Sequence, residues 1–77
     1  MKLSYDRKTD VMYINVGNTS NSYGREDNDG IVYFYDTETE EFTGLTIFDY
    51  REKRKSGFLR NLVIPYPIDF YQRRFAR

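Results

Sequence analysis

Hydrophobic residues at every second position mark the first part of the chain as β-structure. In residues 11–16, VMYINV, the side chains of Met12, Ile14 and Val16 fall on one face of an extended backbone and those between them on the other. The stretch before residue 6 alternates in the same way, and β-branched and aromatic residues favour strands. We predict two strands joined by residues 6–10, a connection of hairpin length.

The two aspartates at the ends of this connection are candidates for either a turn or a catalytic pair. Asp6 and Asp10 bracket three polar residues. Aspartate is common in turns because its side chain accepts hydrogen bonds from nearby backbone N–H groups. A turn accounts for both residues without any chemistry, so we predict a turn.

Two more strands follow a long polar segment. Residues 17–30, GNTSNSYGREDNDG, are rich in turn formers and acids and are predicted to be a loop. Residues 31–35, IVYFY, and residues 42–50, FTGLTIFDY, are predicted to be strands. Gly44 inside the second of these indicates a β-bulge or a close approach of another backbone. Two hairpins joined by a long loop would form a four-stranded antiparallel meander.

The C-terminal part of the chain is less regular. Residues 51–55, REKRK, are predicted to be a charged linker. Residues 59–64 fit either a fifth strand or a short buried turn. The prolines at positions 65 and 67 favour an extended path, and residues 70–76 are predicted to be a short terminal helix.

These elements predict a mainly β fold, with α+β possible. Residues 1–56 would form an antiparallel meander of four to five strands, and residues 57–77 a docking tail of the same domain. A chain of 77 residues has room for one domain. The predicted core consists of the inward-facing strand positions, which are Met12, Ile14, Ile31, Tyr33, Leu45 and Ile47.

The composition excludes several kinds of catalytic and metal site. The chain has no histidine and no cysteine, which rules out Ser–His and Cys–His nucleophiles and removes the usual zinc ligands. We expect no cofactor. A carboxylate-dependent enzyme would need Asp10, Asp36 and Asp49 to line one cleft.

Residues 25–36, REDNDGIVYFYD, overlay part of the EF-hand calcium loop. Asp27, Asp29, Gly30 and Asp36 fall at its third, fifth, sixth and twelfth positions. The first position holds an arginine instead of a carboxylate, however, and a predicted strand follows where the motif needs a helix. We therefore predict an acidic turn without a metal.

Charge is unevenly distributed along a chain whose formal net charge is zero. Residues 1–50 hold four basic and ten acidic residues, whereas residues 51–77 hold eight basic and two acidic ones. Such asymmetry indicates either a basic interaction tail or a tail that folds back on the acidic body. Nucleic acid is a disfavoured partner because that body would repel the phosphate backbone.

The residues after position 57 carry the spare apolar side chains of the chain. They are predicted to pack across a sheet, either that of their own chain or that of a neighbour, and to make the protein a homodimer. The predicted partner-binding residues are Phe58, Leu62, Ile64, Tyr66, Phe70, Tyr71 and Phe75. No hydrophobic run is long enough to span a bilayer and no signal peptide is evident, so a cytoplasmic location is expected.

Three motifs of residues 2–50 resemble the bacterial domain of unknown function 2283 family. They are YDRKTDVMYI at residues 5–14, DGIVYFYD at residues 29–36 and GLTIFD at residues 44–49. Phe34 and Thr46 depart from this pattern, since the family usually has acids there. The matching residues are Tyr5, Asp6, Asp10, Met12, Tyr13, Ile14, Gly30, Ile31, Tyr35, Asp36, Gly44, Leu45, Ile47, Phe48 and Asp49.

The resemblance implies a small β-rich domain without an established activity, in a family whose members look like companions of small toxin-like proteins. We therefore expect a non-enzymatic protein-binding domain that self-associates. The alternative is an antitoxin-like partner of a small toxin, and the second alternative is a carboxylate-dependent enzyme or a nucleic-acid-binding protein.

Overall fold

The fold is one five-stranded antiparallel sheet followed by a short helix and a 3-10 turn. The computed structural model describes residues 1–17, 20–62 and 64. Its elements are β1 (Lys2–Asp6), β2 (Val11–Asn15), β3 (Ser22–Glu26), β4 (Ile31–Asp36), β5 (Phe42–Phe48), α1 (Tyr50–Ser56) and the 3-10 turn (Phe58–Asn61). The predicted mainly β, antiparallel class is confirmed.

The strands lie side by side in the order β1-β2-β5-β4-β3. Strands β3, β4 and β5 therefore form a meander, and the hairpin of β1 and β2 joins it along β5. The pairing sets Met12 beside Ile47, and Ile47 beside Ile31. Inward-facing apolar residues of three strands thus lie in one row, and the alternation predicts their inward facing but not their pairing.

The core lies on the face of the sheet that carries these rows. We refer to this face of the sheet as the core face. Tyr50 of α1 and Leu59 of the 3-10 turn belong to the same cluster, so the segment after β5 packs on this face. Of the six predicted core residues Tyr33 is half-buried, and the other five are buried, namely Met12, Ile14, Ile31, Leu45 and Ile47.

The prediction of a loop throughout residues 17–30 is wrong, because β3 lies inside it. Its sequence, SYGRE, has little apolar alternation because it is an edge strand with largely exposed side chains. Gly24 would normally weaken such a strand. Here Val32 and Phe34 of β4 lie against it, with their nearest side-chain atoms 2.9 and 3.0 Å from where a Cβ would be.

The predicted linker at residues 51–55 is also wrong, because these residues lie in α1. The strand predicted for residues 42–50 ends at Phe48, where Asp49 takes a left-handed conformation with φ of 52° and turns the chain into the helix. At the far end, Gly57 has φ of 86° and its N–H donates to the carbonyl of Arg54. Basic residues in the last turn suit the negative end of the helix dipole.

Of the two alternatives for residues 59–64, the short buried turn is confirmed for its first part. The 3-10 turn spans Phe58–Asn61, and Leu59 is 3% exposed. The fifth strand of the sheet is β3 instead. The two prolines and the predicted helix at residues 70–76 lie outside the described residues.

Gly44 shows both features that its position in a strand predicts. Phe34 pairs with Gly44 and Tyr35 with Phe42, which leaves Thr43 as an extra residue in β5. On the other side, a Cβ on Gly44 would lie 2.7 Å from the carbonyl oxygen of Ile14. β5 is therefore bulged towards β4 and closely packed against the backbone of β2.

Candidate functional site

The aspartates of the first hairpin form a turn, as predicted. Asp6 Oδ1 accepts hydrogen bonds from the N–H groups of Lys8, at 2.9 Å, and Thr9, at 3.4 Å. Asp10 has φ of 58°, a left-handed conformation that aspartate and asparagine tolerate better than most residues. Asp6 therefore shapes the beginning of the turn and Asp10 its end.

Asp10 also holds the beginning of α1, a contact that sequence reasoning missed. Its carbonyl accepts from the N–H of Tyr50 at 3.0 Å, and its carboxylate accepts from the N–H of Arg51 at 3.2 and 3.3 Å. The hydroxyl of Tyr5 donates to Asp10 Oδ1 at 2.5 Å. This hydrogen bond, together with burial, raises the pKa of Tyr5. The carboxylate thus has a structural role at a junction of three elements.

The three carboxylates that an enzyme would need in one cleft do not meet. Asp10 and Asp49 lie at the beginning of α1, whereas Asp36 lies at the turn between β4 and β5. The length of β5, about 20 Å at 3.3 Å per residue, separates the two places. Asp36 Oδ1 accepts from the N–H groups of Glu38 and Thr39 at 2.8 and 2.9 Å. These bonds lower the pKa of Asp36.

The acidic segment that resembles a calcium loop is a tight turn between β3 and β4. Asp27 Oδ1 accepts from the N–H groups of Asp29 and Ile31 at 2.9 and 3.0 Å. The N–H of Asp27 donates to the carbonyl of Ile31, which closes the turn. Within residues 1–17, 20–62 and 64, no three carboxylates are grouped so as to hold a metal ion.

Two shallow grooves lie at opposite ends of the sheet. One, of about 330 Å³, runs between α1 and the turn of β3 and β4, and the other, of about 310 Å³, lies beside the turn of β4 and β5. The first is lined by Asp29, Asp49, Glu52, Lys53, Ser56 and Phe58. Lys53 Nζ donates to the carbonyl of Phe48, so this amine ties α1 to the end of β5. The second groove is lined by Asp36 and Glu41 together with neutral residues, so acidic side chains are present in both.

Three of the predicted partner-binding residues contact the core of their own chain. Phe58, Leu62 and Ile64 are partly buried against it. Tyr66, Phe70, Tyr71 and Phe75 lie outside the described residues. A partner for these seven side chains stays a prediction.

The second face of the sheet exposes aromatic side chains. We refer to this face, which alternates with the core face, as the outer face. Tyr13 in β2 and Phe48 in β5 point to it and are each 41% exposed. Val11 and Thr46 between them are buried. By register, the outer face consists of Lys2, Ser4, Asp6, Val11, Tyr13, Asn15, Ser22, Gly24, Glu26, Val32, Phe34, Asp36, Gly44, Thr46 and Phe48.

Sequence reasoning placed Tyr13 and Phe48 opposite the core without treating them as a site. The signal was present in three strands, because the sides of β2, β4 and β5 that face away from the core carry Val11, Tyr13, Val32, Phe34 and Phe48 where charged residues are usual on a solvated face. Such a face is typical of an interaction surface.

No family model, curated protein or solved structure matches this chain significantly. The resemblance to the domain of unknown function 2283 family therefore stays a prediction. Within the part of the chain that the structure describes, none of the helical segments is both long and apolar enough to cross a membrane.

Proposed function

We propose that this protein is a non-enzymatic protein-binding domain whose first partner is a second copy of itself. One observation carries this proposal: Tyr13 and Phe48 project from a largely uncharged sheet face and are each 41% exposed. Aromatic residues are enriched in protein–protein interfaces because they combine a large apolar area with few rotatable bonds. A small sheet with one covered face gains stability when a partner covers the other.

The carboxylates support a binding role over a catalytic one. The side chains of Asp6, Asp10, Asp27 and Asp36 each accept backbone N–H groups of turns or of the helix N-terminus. A carboxylate held in this way organises the backbone, whereas a general base needs a free oxygen directed at a substrate. The proposed location is the cytoplasm, which suits a chain without cysteine because disulfides are rare there.

Sedimentation equilibrium over a concentration series tests this function. We expect the average mass to rise from that of one 9.3 kDa chain towards twice that value as the protein concentration increases. An average mass that stays at that of one chain up to about 1 mM protein would refute self-association. At that concentration, any interaction stronger than about 4 kcal/mol would be detected.

A further inference from the structure

We infer that the outer face is the interface of a twofold homodimer in which two sheets pack face to face. This dimer deepens the proposed function, on which it rests, by assigning self-association to one surface and one symmetry. The twofold axis lies between the two sheets, runs perpendicular to the strands and follows the row that contains Ser4, Tyr13 and Thr46. These three residues pair across β1, β2 and β5 and so lie side by side.

The charges of the outer face complement each other across this axis. On β1, Asp6 and Lys2 lie two residues to either side of Ser4 and point to the same face. A twofold rotation about the row of Ser4 sets Asp6 of each copy opposite Lys2 of the other. In a symmetric interface every contact occurs twice, so the pairing of Asp6 with Lys2 forms two ion pairs.

An exposed aromatic ring of β5 meets a small residue across the same axis. Phe48 and Gly44 lie two residues to either side of Thr46. The rotation therefore sets the ring of Phe48, which is 41% exposed, over the buried Gly44 and the side chain of Asn15 that lies against it. Tyr13, on the axis, meets its own counterpart, and aromatic pairs of this kind stabilise interfaces.

The area of the outer face suits a weak dimer. Five strands spaced about 4.8 Å apart, each about five residues long at 3.3 Å per residue, give a footprint of roughly 24 by 17 Å, or about 400 Å². A stable complex buries about 800 Å² of accessible surface per partner. Although side chains make the accessible area larger than the footprint, we expect a dimer that dissociates on dilution.

One residue opposes this arrangement and so provides a sensitive test. Glu26 of β3 pairs with Val32, which pairs with Thr46, so Glu26 lies in the row of the axis at the edge of the sheet. The rotation brings the two copies of Glu26 near each other, and like charges repel. Neutralising Glu26 should tighten the dimer, whereas most changes to an interface weaken it.

The experiment measures the dimer dissociation constant by sedimentation equilibrium for the full chain and five variants, each first checked for folding by a thermal melt. Tyr13→Lys should raise the constant at least tenfold, a typical effect at an interface centre, and Glu26→Gln should lower it. Leu3→Lys is the matched control. Leu3 is 39% exposed, close to the value for Tyr13, but points to the core face. This control should leave the constant nearly unchanged.

The charge pair is tested by a rescue. Lys2→Glu should weaken the dimer because it places two acids opposite each other, and adding Asp6→Asn should restore part of the affinity, since asparagine removes the repulsion and retains the turn. A dimer that responds equally to Tyr13→Lys and Leu3→Lys, or that Glu26→Gln weakens, would overturn this interface while leaving self-association intact. A chain that is monomeric at every concentration would refute both.

Discussion

Two aspartates of one turn differ in how much of the structure depends on each. Asp6 accepts hydrogen bonds only within its own turn, as far as the described contacts show, whereas Asp10 also accepts the hydroxyl of Tyr5 and the N–H of Arg51. We therefore expect Asp6→Asn to cost less than about 0.5 kcal/mol of unfolding free energy, because asparagine makes similar turn bonds. Asp10→Asn should cost about 1 kcal/mol, because the amide keeps one acceptor oxygen and sets an NH2 donor where the second carboxylate oxygen accepts from the N–H of Arg51.

Urea unfolding of the two variants measures this difference. Asp10→Ala is the more severe comparison, because alanine loses every side-chain bond and is strained at the positive φ, for a total of about 2–3 kcal/mol. Equal losses for Asp6→Asn and Asp10→Asn would show that the contact with α1 contributes nothing.

Gly44 and Gly17 form a second contrasting pair. A methyl group on Gly44 would lie 2.7 Å from the backbone oxygen of Ile14, whereas one on Gly17 would lie 3.7 Å from its nearest neighbour, in ordinary contact. Because backbone in the middle of a sheet cannot move aside cheaply, Gly44→Ala should destabilise the protein by about 2–3 kcal/mol. Gly17→Ala should change the stability by less than about 1 kcal/mol. Thermal melts compare the two, and similar melting temperatures would contradict the close approach at Gly44.

The residues that the sequence identified correctly are those whose role is local. Turn formation at Asp6 and the bulge at Gly44 follow from residue type and neighbouring pattern. The contact between Asp10 and Arg51 spans 41 positions of the chain. Nothing in either local segment indicates it, because it depends on β2 and β5 being neighbours.

At the scale of elements, the turn between β4 and β5 should give the protein a specific dependence on pH. The N–H groups of Glu38 and Thr39 hold the pKa of Asp36 below its ordinary value of 3.8. The unfolded chain therefore binds this proton first as the pH falls. The stabilisation from this carboxylate is fully present at a pH above the ordinary pKa. It is lost as the pH falls through the lower pKa of the folded state.

Asp36→Asn isolates that contribution. The wild type should be more stable than the variant at pH 7, and the difference should shrink as the pH is lowered to about 2, because a protonated aspartate resembles asparagine. Urea unfolding at several pH values measures the difference. A constant difference over this range would show that the turn does not depend on the ionised form.

The two elements that sequence analysis missed are short and lie on the surface. β3 has little apolar alternation because it is an edge strand, and among the strands that the structure describes its one neighbour is β4. α1 has seven residues, too few for a reliable helical period, and its first N–H groups are satisfied by Asp10 instead of a local cap. Both are thus stabilised by contacts with distant parts of the chain, which a local pattern does not contain.

For the whole molecule, the segment after α1 is part of the core. Leu59 is 3% exposed within the main hydrophobic cluster. A chain that ends at Ser56 should therefore be less stable by about 2–5 kcal/mol, the cost of removing a buried leucine, and much of it should unfold. The point variant Leu59→Ala should reproduce most of this loss. A chain that ends at Ile64 is the matched control, because it keeps Leu59 and the residues that pack beside it.

Circular dichroism melts of these three chains measure the effect. An unchanged melting temperature after truncation at Ser56 would mean that the predicted tail of residues 57–77 is dispensable throughout its length.

The class of the molecule was predictable and the order of its strands was not. Period-two patterning identifies four of the five strands, and five of the six predicted core residues are buried. The local pattern does not predict that β2 pairs with β5. The strands β4 and β5 are both apolar and have similar patterns, so either could be the neighbour of β2. The outer face was unpredictable for the same reason, because it forms only when the strands are assembled in this order.

The central place of β5 has a consequence for the order in which the chain leaves the ribosome. The hairpins of β1 with β2 and of β3 with β4 emerge first, and an isolated hairpin is marginally stable in water. The strand that joins them, Phe42–Phe48, is translated last of the five. Until it emerges, β2 and β4 each present an unpaired edge that can pair with another nascent chain. The complete sheet therefore forms only after β5 has emerged from the ribosome. Until then, the nascent chain is exposed to aggregation through these edges.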